Sequence, residues 1–232
     1  MLRAICCIGL AILAAALDGC WEGITRGTLA TVVAVDGTVF AAAPSQNDSP
    51  VRAGDAAKPG TVFQTKENSH LAISLLPNSV IQAGPGTALE IGRLALTKDG
   101  NETGSSVRGR HAEMTLKAGR LIVSHAWGEA PAQLSVATPQ GNAVTPSNAV
   151  FCVETDGALT RVTCATGWIE FQSPGTRSVQ IPPGSMGEWR SGSARVIPVE
   201  TDPTGQETLQ VTIEAEENLK TLVANRVNVL PR

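Results

Sequence analysis

The sequence predicts an all-β protein, a sandwich, roll or barrel of about a dozen short strands. Three observations lead to this prediction. Apolar and polar residues alternate with a period of two in short segments, which is typical of strands with one buried face. Turn sequences separate these segments at intervals of about 8–12 residues. The 232-residue chain also contains 23 glycines and 14 prolines without a collagen-like repeat, and it is long enough for one sizeable core.

Residues 1–20 are predicted to be a targeting segment and not part of the fold. Arg3 supplies the positive charge, and residues 4–17 form an apolar run that is short for a membrane span. Leu17-Asp-Gly-Cys20 resembles a bacterial lipobox, in which Cys20 would become the lipidated first residue. An ordinary secretory signal or an uncleaved anchor would show the same general pattern. The chain is therefore predicted to be exported to the periplasm or cell envelope and anchored to a membrane by a lipid on Cys20.

A β-hairpin is predicted directly after a short tether, residues 21–28. Its strands, Leu29–Val35 and Thr38–Ala42, flank Asp36-Gly37, a dipeptide that favours the tight turns of hairpins. A β domain is predicted to begin here and to extend over residues 29–200.

Residues 60–91 carry the clearest strand pattern of the chain. Leu71, Ile73 and Leu75 alternate with smaller or more polar residues, and Pro77-Asn78-Ser79 then forms a turn. A return strand, a second turn and a third alternating strand follow, so this segment is predicted to be a compact β-meander.

The polar, glycine-rich run at residues 98–110 is predicted to be a flexible loop between strands. A hairpin around Lys117-Ala-Gly119 is expected after it. The remaining strands are predicted at Leu94–Leu96, Glu113–Leu116, Arg120–His125, Gln133–Ala137, Val150–Val153, Arg161–Cys164, Trp168–Phe171, Val179–Ile181, Met186–Arg190 and Ala194–Val199.

The tail, residues 201–232, has a different pattern. Leu209, Val211 and Ile213 alternate, which favours a strand at its start. Residues 214–224 then show helical spacing, so a short C-terminal helix is predicted, packed on the β core or trailing from it.

Two cysteines, Cys152 and Cys164, remain after processing, in a compartment that allows disulfides. Both lie in one predicted hairpin, and a disulfide could form if they faced each other across it. The apolar pattern, however, turns Cys152 outward and Cys164 inward, and a shift of one residue in register would decide between the two arrangements.

The chain also resembles the FecR domain, the periplasmic module named for the ferric-citrate sensor. The resemblance covers residues 30–190, and it implies a compact two-sheet β-roll. The family's central Arg-Gly-Thr is missing, because Pro146–Phe151 reads PSNAVF and keeps only the phenylalanine. The matching stretches, in order, are Ala34–Val39, Gly60–Ile91, Leu116–Val123, Ser135–Pro139, Arg161–Glu170 and Gln180–Ser185.

The resemblance implies a non-enzymatic module that acts in protein interaction, signalling or scaffolding. In the family, such domains often sit on membrane-spanning anti-sigma regulators and receive a signal from an outer-membrane transporter. No sigma-binding region precedes the export signal here, so direct anti-sigma activity is not expected. The expected partner is another protein of the cell envelope.

No catalytic residue, cofactor site or metal site is predicted. The three histidines lack partners at metal-ligand spacings, no nucleophile motif is present, and the glycine-rich runs lack the lysine of a phosphate loop. A net charge of −3 and a pI near 5.7 argue against nucleic acid as a partner.

Trp127, Trp168 and Phe151 are the candidate interaction residues. Strand alternation places Trp168 outward, opposite to Ile169, where an exposed aromatic ring could anchor a partner. The same tryptophans, together with polar loops, support an alternative function as a carbohydrate- or peptidoglycan-binding module.

Overall fold

A computed structural model of the chain describes residues 23–98, 107–126, 130–175, 177–190 and 193–227, with side chains described as far as residue 222. Three sequence predictions therefore lie outside the described residues: the targeting segment with its lipidation site Cys20, most of the loop at 98–110, and the candidate interaction residue Trp127.

The described residues form eighteen strands and one long helix, which confirms the all-β prediction with a C-terminal helix. The strand count exceeds the predicted dozen because several strands are only two to five residues long, too short for a pattern of alternation. The elements are β1 (Ile24–Gly27), β2 (Ala30–Asp36), β3 (Val39–Ala42), β4 (Ser49–Pro50), β5 (Ala56–Ala57), β6 (Val62–Thr65), β7 (His70–Leu76), β8 (Ser79–Ala83), β9 (Ala88–Lys98), β10 (Val107–His125), β11 (Ala132–Thr138), β12 (Gly141–Thr145), β13 (Ala149–Thr155), β14 (Leu159–Thr166), β15 (Ile169–Gln172), β16 (Val179–Ile181), β17 (Ser185–Arg190), β18 (Ser193–Pro198) and α1 (Pro203–Val227).

The strands form two sheets that share β10. Sheet A has the order β4-β3-β6-β9-β10-β11-β12-β15-β16, and β1 pairs with the end of β9 beyond β6. Sheet B has the order β5-β2-β7-β8-β10-β13-β14-β17-β18. The β10–β11 pair is parallel and the other pairs are antiparallel. Both sheets contribute side chains to one core, as expected for a two-sheet roll.

The chain passes from sheet A to sheet B at Gly119, in the middle of β10. Gly119 has a φ of 92°, a backbone conformation that glycine adopts without steric cost. Thr87 closes the corner, since its hydroxyl donates to the Arg120 carbonyl and accepts from the Arg120 N–H, both at 3.1 Å. The predicted hairpin around Lys117-Ala-Gly119 is therefore wrong: the segments on either side of the bend belong to different sheets.

The helix α1 lies across the outer face of sheet B. It begins at Pro203, and the preceding Asp202 caps it by accepting a hydrogen bond from the Gly205 N–H at 2.9 Å. The predicted strand at residues 209–213 is wrong, because helical spacing places Val211 against the sheet and leaves Ile213 exposed at 40%. No helix in the described part of the chain is long and apolar enough to cross a bilayer.

Candidate interaction surface on sheet B

Phe151 does not take part in an exposed surface. Its side chain is 0% exposed in the core between the sheets, so its predicted role as an interaction residue is wrong. Trp168 is partly exposed, immediately before β15. Trp189 is buried and stacks on Phe171 with a distance of 3.8 Å between ring centroids. Of the tryptophans that the structure describes, only Trp168 thus offers part of a ring to solvent.

The two cysteines of the predicted hairpin are free thiols on opposite faces of sheet B. Cys152 lies opposite Thr163 and faces α1, where it packs with Ile122 and Ala215. Cys164 lies one pair further along the ladder and faces the core. The disulfide does not form, because strand alternation turns the thiols away from each other.

The position of Cys152 makes it a reporter of α1 docking. Burial raises the pKa of both thiols, that of Cys164 to about 12, so both are expected to resist alkylation in the folded protein. Leu219, 1% exposed, holds the far end of α1 on the sheet, and a buried Leu→Ala change costs about 2–5 kcal/mol. In Leu219→Ala, we expect maleimide labelling of Cys152 to accelerate by at least about tenfold while Cys164 stays protected.

Peptide mass spectrometry of the labelled protein measures the two rates separately. Leu134→Ala is the matched control. Leu134 is fully buried in the main core and belongs to neither of the two apolar clusters that α1 forms with sheet B. It is expected to raise both rates together through global unfolding. Equal acceleration of both thiols in Leu219→Ala would show that α1 does not release independently.

Beyond α1, the outer face of sheet B carries a network of ion pairs. We call it the arginine–glutamate face, formed by Arg120, Glu154, Arg161, Glu188 and Arg195. Nε of Arg120 lies 2.6 Å from Oε1 of Glu154, and Nε of Arg161 lies 2.7 Å from Oε1 of Glu188. Nε of Arg195 contacts the other oxygen of Glu188 at 2.6 Å. Together, the Arg120–Glu154 pair and the Arg161–Glu188–Arg195 group extend across β10, β13, β14, β17 and β18.

Glu188 is the centre of this network, with a side chain only 12% exposed. Burial acts to raise the pKa of Glu188, but hydrogen bonds from Arg161 and Arg195 outweigh it and lower the pKa below its ordinary value. Glu188 is therefore anionic at neutral pH, and both of its oxygens are engaged by arginines.

Two shallow grooves open on this face. The larger, about 450 Å³, is lined in part by Arg120, Glu154 and Arg161. The smaller, about 310 Å³, is lined in part by Arg190 of β17 and by Ser193 and Arg195 of β18. Thr208 of α1 donates to Oε2 of Glu154 at 3.3 Å, so the helix forms one border of the surface.

The strand β18 forms one edge of sheet B, beside the smaller groove. Its six residues pair with β17 and with no other strand in the described part of the chain. Most of its side chains are exposed, and Val196 and Ile197 are partly buried. An edge of this kind presents a row of backbone N–H and C=O groups to solvent.

A separate buried polar cluster contains His125, the last residue of β10, and Arg110, near the start of the same strand. Nδ1 of His125 lies 2.7 Å from the Ser79 hydroxyl, and the guanidinium of Arg110 donates to the carbonyls of Pro77 and Ala130 at 2.7 and 2.9 Å. Burial lowers the pKa of His125 to about 4; the Ala132 backbone opposes this shift and Arg110 adds to it. The guanidinium thus satisfies two backbone carbonyls, whereas Nε of Arg110 and Nε2 of His125 are buried without a hydrogen-bond partner among the described residues.

Comparison with known proteins gives a limited result. No protein-family profile and no curated protein matches the sequence. The structure is similar to two crystal structures of a candidate anti-sigma factor from Parabacteroides distasonis, with a TM-score of 0.42 and 18% or 17% sequence identity. In both cases the similarity covers 59% of this chain and 57% of the other chain, so this chain matches little more than half of that protein.

Proposed function

We propose that this protein is a non-enzymatic module of the cell envelope that acts by binding another protein, in signalling or as a scaffold. The observation that carries the proposal is the edge of sheet B that β18 forms. β18 offers a row of solvent-exposed backbone groups on a sheet whose other strands and core hold it in place. Strand addition to such an edge is a common mode of peptide recognition.

The location follows from the predicted export signal. If Cys20 is lipidated, only three residues separate the anchor from Ile24 at the start of β1, which would hold the β-roll close to the membrane surface. The resemblance to the FecR domain supports an envelope role, although the loop Pro146–Asn148 lacks that family's Arg-Gly-Thr. The proposal therefore includes no direct anti-sigma activity.

Site-specific photocrosslinking in intact cells tests the proposal. A photoreactive amino acid at Ser193, exposed on β18, is compared with one at Gln133, exposed on the outer face of sheet A. We expect a single envelope protein to be crosslinked from Ser193 in near-stoichiometric amount, and the yield to fall in Cys20→Ala. If neither position yields a protein and glycan co-purifies instead, the protein-binding proposal fails and the carbohydrate alternative replaces it.

A further inference from the structure

We propose that β18 binds an extended, acidic segment of the partner, which joins sheet B as its next strand and places carboxylates beside Arg190 and Arg195. This inference rests on the proposed function and specifies the chemistry of the partner.

The backbone of β18 limits the length of the added strand. The register runs from Arg190 opposite Ser193 to Ser185 opposite Pro198, so every residue of β18 pairs with β17 along one side. Along the other side, alternate backbone groups of Ser193–Ile197 have no strand partner in the described part of the chain. Pro198 has no N–H and ends the ladder. A segment of about five or six residues therefore matches the edge.

The charges beside the edge favour carboxylates. Both oxygens of Glu188 are already engaged, by Arg161 and Arg195, and Arg190 makes no ion pair among the described residues. Hydrogen bonds from the backbone N–H groups of Leu159 and Ala158 lower the pKa of the exposed Asp156, and Arg190 adds a smaller electrostatic contribution. Arg161, Arg190 and Arg195 thus stand against two carboxylates, those of Glu188 and Asp156. This is a local excess of one positive charge on a chain whose net charge is −3.

The positions of these charges also set a direction. Arg190 of β17 lies opposite Ser193, the first residue of β18, and Arg195 is the third of the six residues of β18, whereas Glu200 follows the other end of the strand. An acidic residue of the partner therefore fits beside Ser193 and is repelled near Pro198. Backbone pairing between strands is independent of the partner's sequence. Guanidinium groups add specificity, because they bind carboxylates through paired, charge-assisted hydrogen bonds.

The same charges disfavour a second copy of the chain as the occupant. Antiparallel pairing of two β18 strands would bring Arg195 of each copy to adjoining strands, with Arg190 close behind on both sides. Like charges on neighbouring strands are destabilising. A partner with opposite charge avoids this repulsion.

Two capped peptides of identical length serve as probes. The first, Thr-Glu-Val-Glu-Val-Thr, carries acidic residues on one face, and the second has lysine in place of each glutamate. Binding to the protein lacking residues 1–20 is followed by amide chemical shifts and hydrogen exchange, titrating each peptide to millimolar concentration. We expect the acidic peptide to shift and protect alternate amides of Ser193–Ile197, and the lysine peptide to bind at least about tenfold more weakly.

Charge variants separate recognition from folding. Arg190→Glu removes no described ion pair, so it is expected to fold normally and to weaken binding of the acidic peptide by about tenfold or more. Arg93→Glu is the control on β9 of sheet A: Arg93 is exposed and makes no ion pair described in the structure, so the change is expected to leave binding unchanged. Thermal unfolding of each variant verifies that the fold is intact.

Three outcomes would overturn the inference: equal binding of the two peptides, shifts outside β18, or a dimer that forms through β18 at the concentrations used. These outcomes remain distinct from failure of the proposed function. If Ser193 crosslinks to a protein in cells but the acidic and lysine peptides bind equally well, the protein-binding function stands and the acidic segment is rejected. Absence of crosslinks from every position would reject both.

Discussion

Replacing Gly119 by alanine is expected to lower the free energy of unfolding by about 2–5 kcal/mol, enough to unfold much of the population of a marginal domain. Two costs add. A residue with a side chain at a φ of 92° costs roughly 1–2 kcal/mol. The new β-carbon would also collide with Thr87, lying 2.5 Å from its Cα, and overpacking of this kind costs roughly 1–3 kcal/mol.

The collision is costly because Thr87 has little freedom to move. Its side chain is buried and bonded to the backbone of Arg120, and its N–H donates to the hydroxyl of Thr65 at 2.8 Å. Any displacement at this corner disturbs both the passage of β10 between the sheets and the turn before β9. Denaturant unfolding followed by circular dichroism measures the loss.

Gly157→Ala is the matched control for this prediction. Gly157 has nearly the same φ, 91°, but a β-carbon there would meet nothing within 4 Å. It is expected to lose only the backbone cost of roughly 1–2 kcal/mol. Similar losses in the two variants would mean that the corner relaxes around the alanine, and that the close approach of Thr87 contributes little to stability.

The pattern of residues along the sequence predicts strands, but it does not predict where a strand crosses from one sheet to the other. The strand β7 was predictable because the alternation of Leu71, Ile73 and Leu75 toward the core is a local property, although α1 covers the other face of this strand at Ala72. The passage of β10 from sheet A to sheet B was not, because the glycine that bends a strand between sheets looks the same in sequence as the glycine of a hairpin. The helix start was missed because Leu209, Val211 and Ile213 alternate as in a strand, whereas the buried positions at the start of α1 include Thr208 and Thr212, which add no apolar signal.

The arginine–glutamate face was not predictable from the sequence, although four of its five members, all but Glu154, lie in predicted strands. Arg161 is far from Glu188 and Arg195 in the chain, and the register of β14, β17 and β18 brings the three together. Register depends on turn geometry and packing, so a shift of one residue would have turned each side chain to the other face. The alternation that correctly placed Cys152 and Cys164 on opposite faces was the signal that could have located these charges.

The stability of the fold is expected to fall by roughly 3 kcal/mol between pH 7 and pH 4 because of His125 alone. The pKa of His125 is lowered from 6.5 to about 4, chiefly by burial of a side chain that is 2% exposed, with a smaller contribution from Arg110. Between these two values the unfolded chain binds a proton that the folded chain does not. Lowering the pH therefore favours the unfolded state, and the effect of His125 levels off below about pH 4, where the folded state also becomes protonated.

Chemical denaturation at a series of pH values tests this prediction, with His125→Gln expected to flatten the slope between pH 6.5 and 4. Carboxylates act in a different window: the lowered pKa of Glu188 means that its contribution is lost only as the pH falls below about 4.5. His111→Gln is the control, since His111 lies on the surface beside Glu113, and the slope should persist in it. An unchanged slope in His125→Gln would show that another group controls acid unfolding, and that the buried cluster at the end of β10 accepts a proton without loosening the roll.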